Sequence, residues 1–135
     1  MQVSSAFVAD PELIEELEKR ATPVAVSPGG ILFHQGDAPT GVYILSKGTA
    51  KLTSITDGDP LLSIRTGAGS LLGVPAVVGA KPYTLTAEAL ENAEVSVLSC
   101  EDFVHLMHTE PALSFRVLQV LAAEVRFARE SLAQL

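Results

Sequence analysis

The sequence predicts a mainly β domain, a sandwich or barrel, with a short helix before it and a long helix after it. Three observations carry this. Short β-rich segments alternate with glycine and proline turns from Val24 to Leu98. No helix-length pattern interrupts them, which disfavours βαβ units. From Pro111 onward the apolar residues switch to a helical spacing.

Taken in order, Asp10-Pro11-Glu12 opens the first helix, because Pro11 suits the first helical position and Glu12 suits the positive end of the helix dipole. Leu13, Ile14 and Leu17 give it an apolar face, and Pro23 is expected to stop it. The strands are expected at Val24–Val26, Ile31–His34, Val42–Leu45, Ala50–Thr56, Leu61–Arg65, Ser70–Leu72, Tyr83–Ala89 and Ala93–Leu98. The turns between them include "SPGG", "QGDAPTG", "SKG", "TDGDP" and "ENAE", with Asp57-Gly58 a strong hairpin signal. Gly36 and Gly48 mark sharp turns that call for positive φ. Ser99, three residues before Asp102, caps a short helix over Glu101–His108. Thr109-Glu110-Pro111 starts the last helix, which is expected to reach the final residue.

That helix carries two stripes. Leu118, Leu121, Val125, Ala128, Leu132 and Leu135 are spaced 3, 4, 3, 4 and 3, the seam of a two-stranded coiled coil. Leu113, Val117, Val120 and Phe127 form a second stripe, displaced around the helix. One stripe suits packing on the β-domain and the seam suits the same helix of a second copy, giving a homodimer. Residues 1–109 are then the β-domain with its short helices, and residues 110–135 the dimerisation helix.

Composition narrows the function. Of 135 residues, 47% are hydrophobic and 19% charged, enough to build a packed core. The net charge of −7 argues against direct nucleic-acid binding by this segment, since phosphate contact needs clustered Lys and Arg. No apolar run is long enough to span a membrane, and no signal peptide is evident. The single cysteine, Cys100, permits no intrachain disulfide and reads as a small buried hydrophobe in a cytoplasmic protein. His34, His105 and His108 have no supporting ligand cluster, and Glu101, one turn before His105, is too little to make a metal site. Neither a Gly-x-Ser-x-Gly elbow nor a Walker or dinucleotide fingerprint occurs. No metal, no resident cofactor and no enzymatic activity are expected.

Four segments together resemble the cyclic-nucleotide-binding domain superfamily. Within it they look most like the sensor domains of catabolite-activator and fumarate–nitrate-type (Crp/Fnr) bacterial transcription regulators. "ILFHQGDAPTGVYILSKGTAKL" (Ile31 to Leu52) is similar to the β-roll core of that family, and "GSLLG" (Gly69 to Gly73) to the strand entering its phosphate-binding cassette. "ENAEVSVLSCEDFVHLM" is similar to its last strand and following helix, and "PALSFRVLQVLAAEVRFARESLAQL" to its dimerisation helix. The resemblance implies a double-stranded β-helix, a jelly-roll-like, cupin-like β-roll. It also implies a pocket in which a Gly-Glu pair, a short helix, and an Arg followed by Ser or Thr hold the nucleotide.

The candidate pocket residues are Gly73, Val74, Pro75, Ala76, Tyr83 and Thr84. Gly73 keeps the glycine, a short helix over Pro75–Val78 keeps the frame, and Thr84 keeps the hydroxyl. Val74 stands where the resemblance places the Glu, and Tyr83 where it places the Arg. An Arg pairs with phosphate through a fixed fork, and tyrosine supplies no charge at all. Lys81 and Arg65 are nearby cations that read better as surface residues. These residues disfavour cyclic AMP and cyclic GMP. Val74, Leu72, Val77, Val78 and Tyr83 are expected to make the pocket apolar, either for a less polar effector or collapsed and empty. The expectation is a ligand-sensing half of a transcription regulator, excised from a chain whose DNA-reading part follows Leu135. The alternative is a stand-alone oligomerisation module with a vestigial pocket.

Overall fold

A computed structural model describes residues 3–133; Leu135 of the seam lies outside them. The described residues form nine strands and four helices. The strands are β1 (Val3–Ser4), β2 (Thr22–Val24), β3 (Ile31–Phe33), β4 (Gly41–Lys47), β5 (Ala50–Thr56), β6 (Asp59–Thr66), β7 (Ser70–Leu72), β8 (Thr86–Ala89) and β9 (Glu94–Ser99). The helices are α1 (Pro11–Glu18), α2 (Val74–Gly79), α3 (Cys100–Thr109) and α4 (Pro111–Ala133). One sheet has the order β1-β6-β5-β8-β3 and the other β2-β9-β4-β7.

The local signals explain most of these elements. Asp10 caps α1 by accepting from the Glu12 amide at 2.8 Å, with Pro11 behind it. Ser99 caps α3 by accepting from the Asp102 amide at 3.1 Å. Asp57 (φ 54°) and Gly58 (φ 81°) join β5 to β6 as a two-residue turn, with Thr56 opposite Asp59. Gly48 has φ 78°, and a Cβ there would stand 2.5 Å from the Asn92 carbonyl oxygen, so no side chain fits that turn.

Two expectations are corrected. Pro23 does not end the first helix, which stops at Glu18; it lies inside β2. That strand is at the sheet edge and pairs only with β9, where a missing N–H is tolerated. Tyr83 does not begin a strand, because β8 starts at Thr86. Tyr83 instead makes turn-to-turn bonds, its amide donating to Asp37 O at 3.0 Å and its carbonyl accepting from Gly36 N at 2.8 Å. The parallel pairing of β1 with β6, Val3 opposite Arg65, has no local signal in the sequence.

Alternation along β4 and β7 separates two cores. Val42, Ile44 and Leu71 face the helices, where they meet Leu13, Leu17, Val74, Val77, Phe103, Leu106, Val117 and Val120. Leu45 and Leu72 face the space between the sheets, with Phe33, Leu52, Ile64, Tyr83 and Ala87. The helix α4 is held at its start by Arg116, which pairs with Asp10 at 2.7 Å and Glu12 at 2.9 Å. Further along, its Phe127 ring meets Phe7 edge-on, centroids 6.1 Å apart. So α4 contributes Val117 and Val120 to the helix-side core and Phe127 to the inter-sheet core, the second stripe doing the packing expected of it.

Candidate functional site

A cavity of about 300 Å³ lies between the inter-sheet core and α4. Gly73, Pro75, Ala76, Tyr83 and Thr84 all line it, so five of the six residues singled out in the sequence are brought together. The sixth is not: Val74 is fully buried in the helix-side core with Val77. The reason is helical geometry, since Val74 and Val77 are three apart and share a face, while Ala76 points the other way. Val78 is exposed and also lies outside the cavity.

Gly73 links β7 to α2 at φ 90°. A Cβ at this position would fall 2.7 Å from Tyr83 Cε1. Glycine is therefore required twice, by the backbone conformation and by the ring pressed against it. Tyr83 is itself almost wholly buried. Its ring stacks on Phe33 with centroids 3.9 Å apart and planes 18° apart. Its hydroxyl donates to Gly41 O at 2.7 Å and accepts from Gly41 N at 3.1 Å and Thr40 N at 3.0 Å. The tyrosine thus clamps the turn before β4 onto the segment after α2, and its polar capacity is consumed by the protein.

Lys81 and Arg65 are exposed and absent from the cavity wall. Among the described residues no Lys, Arg or His lines it. The wall is completed by Phe7, Phe33, Leu52, Leu62, Leu72 and Leu85 from the β-domain, and by Leu121, Glu124, Val125, Phe127 and Ala128 from α4. Thr84, Pro75, Val125 and Ala128 are exposed, so the cavity reaches the surface at their rim.

Glu124 was missed by sequence reasoning. Its Oε2 is shielded from solvent and has no hydrogen-bond partner among the described residues. Burial pushes its carboxyl from an ordinary 4.5 up to about 8. A signal was present: Glu124 follows Val120 by four and precedes Phe127 by three, which puts it on the buried stripe. The histidines are all exposed, and no group of three or more His, Cys, Asp or Glu side chains gathers among the described residues. Cys100 is half-buried, its thiol directed at Pro39 O at 3.3 Å.

A β-roll closed by a long helix over a cavity behind a Gly-started short helix defines a class of protein. The chain belongs to the cyclic nucleotide-binding domain family, whose pattern it matches over residues 23–110. Among curated relatives, it is 28% identical over 123 residues to the transcriptional activator protein Anr of Pseudomonas aeruginosa, covering 90% of this chain and 49% of that one. It is 26% identical to FnrA of Stutzerimonas stutzeri over the same shares. The chain therefore spans about half the length of these relatives.

Among solved structures, it superposes on the catabolite activator protein of Thermus thermophilus with TM-score 0.76, at 24% identity, covering 97% of this chain and 62% of that one. Oxidized CprK in complex with o-chlorophenolacetic acid matches with TM-score 0.75 at 18% identity, covering 99% and 55%. These likenesses establish the fold. Among the described residues, no helix is long and apolar enough to cross a membrane.

Proposed function

We propose that this chain is the ligand-sensing part of a transcription regulator, non-catalytic and cytoplasmic, with Gly73, Pro75, Ala76, Tyr83 and Thr84 in its effector site. The effector is small and largely apolar, and it is not a cyclic nucleotide. One observation carries this reading: among the described residues the cavity wall holds no cation, and its only charged residue is an acid. A buried phosphodiester would sit there unpaired, at a cost of several kcal/mol. The kinship with transcriptional activators supports the regulatory role.

The homodimer is proposed through the seam on α4. Leu118, Val125 and Leu132 are 58%, 49% and 59% exposed, seven residues apart on one side of the helix, and Ala128 joins them. Phe115, 62% exposed, extends this surface. A heptad repeat of this kind is complementary to itself, which favours a second copy as the occupant. Leu121, Val125 and Ala128 belong both to the seam and to the cavity wall. Filling the cavity and pairing the helices thus involve the same side chains, the coupling a sensor requires. Residues 110–135 act as the dimerisation segment in this reading, and nucleic acid is left to another part of the regulator.

Calorimetric titration with cyclic AMP and with cyclic GMP at low salt tests the ligand class. The expected result is no measurable heat. Micromolar binding of either nucleotide overturns the reading of the site.

A further inference from the structure

The cavity has one chemical handle. Of its lining residues, only Glu124, Tyr83 and Thr84 carry polar side-chain atoms, and the Tyr83 hydroxyl is committed to Thr40 and Gly41. Thr84 lies at the exposed rim. Glu124 is the one charged residue on the wall among the described residues, and its Oε2 is shielded from solvent and without a partner there. Four aromatic rings line the same cavity, those of Phe7, Phe33, Tyr83 and Phe127. A carboxyl among aromatic rings, with no basic side chain, has a definite complement. An ammonium group supplies hydrogen-bond donors to the carboxylate and is attracted to ring faces. A carboxylate ligand would set acid against acid, and a hydrocarbon would leave the carboxyl oxygen unpaired.

We propose that the cavity selects a small amine, its primary or secondary ammonium paired with the Glu124 carboxylate and its apolar body seated among Phe7, Phe33, Tyr83 and Phe127. This rests on the reading of the cavity as an effector site. It names the effector's charge, which that reading leaves open. The empty cavity holds Glu124 protonated at neutral pH, since burial raises its carboxyl to about 8. Binding of an ammonium ion then releases one proton from Glu124 to solvent, so affinity rises with pH until Glu124 is ionised. Among the described residues the only other titratable group on the wall is Tyr83, and Arg126 and Arg129 of α4 are exposed and outside it.

The test titrates the 135-residue chain with 2-phenylethylamine, with 2-phenylethanol and with 3-phenylpropionate, by calorimetry and amide chemical shifts. The amine is expected to bind at least about tenfold more tightly than the alcohol, and the propionate more weakly than both. Amine affinity should rise by up to ~tenfold per pH unit between about pH 6 and pH 8. Glu124→Gln should erase both the amine preference and the pH slope. Equal affinity for amine and alcohol overturns the amine assignment and keeps the effector site. Binding of none of the three at millimolar concentration overturns both. Glu124 also stands beside the seam, so self-association of the variant is measured. If Glu124→Gln weakens pairing but leaves amine affinity intact, the carboxylate serves the second copy and the proposal falls.

Discussion

Replacing Glu124 by Gln should stabilise the protein, and by more at higher pH. The carboxyl titrates near 8 when folded and near 4.5 when exposed. The folded chain therefore keeps a proton that the unfolded chain has lost across this window. Stability must fall as pH rises from 4.5 toward 8, because the unfolded state gains from ionisation and the folded state does not. The whole gap corresponds to about 5 kcal/mol at ~1.4 kcal/mol per pH unit. Between about pH 5.5 and pH 8 the linked part is about 3 kcal/mol at full strength. Glu124 is only half-buried and water reaches the rim, which lowers the expectation to ~2 kcal/mol. Glutamine mimics the neutral acid, so urea unfolding of wild type and variant should nearly coincide at the acid end and diverge toward pH 8. Other carboxylates cancel in the difference. A difference that stays constant with pH would refute the reasoning, because Glu124 would then titrate alike in both states.

Tyr83→Phe keeps the stack on Phe33 but leaves the Gly41 and Thr40 backbone groups short of a partner. The expected loss is about 1–3 kcal/mol in denaturant unfolding, and a neutral substitution would show the clamp to be idle. Val74→Glu, which puts an acid back where the family resemblance has one, should not create a nucleotide site. Val74 points into the helix-side core, so the variant should lose ~3 kcal/mol or more, read as a drop in Tm. For the seam, Leu118→Glu is the cleaner probe, since Leu121 is half-buried and lines the cavity. Light scattering should find wild type dimeric and Leu118→Glu monomeric with a little-changed fold, and a monomeric wild type refutes the seam.

The periodic and capping signals were legible because they are local. Asp10 with Pro11, Ser99 with Asp102, and Asp57-Gly58 each act within a few residues, and the elements they announce are present. The candidate site was legible in part. Gly73, Tyr83 and Thr84 were singled out through the resemblance to the family's cassette, and all three reach the cavity. Apart from Glu124, what was missed lies in direction rather than identity. Val74 and Ala76 look equivalent in a short apolar run, and only the helix phase sends one to each core. Pro23 looks like a helix stop until the sheet edge is known.

By itself, then, the sequence determined the class of fold and the doubled stripes of the last helix. These depend on residue type and spacing along one chain. Only the tertiary structure decided that Tyr83 spends its hydroxyl on Gly41 and Thr40, and that Glu124 is the one acid among the described residues on the wall of an apolar cavity. The physical reason is that burial and desolvation are set by what packs opposite. Glu124 gains its character from burial, on a cavity wall it shares with Phe7, Phe33 and Tyr83, and no window around Glu124 contains those residues.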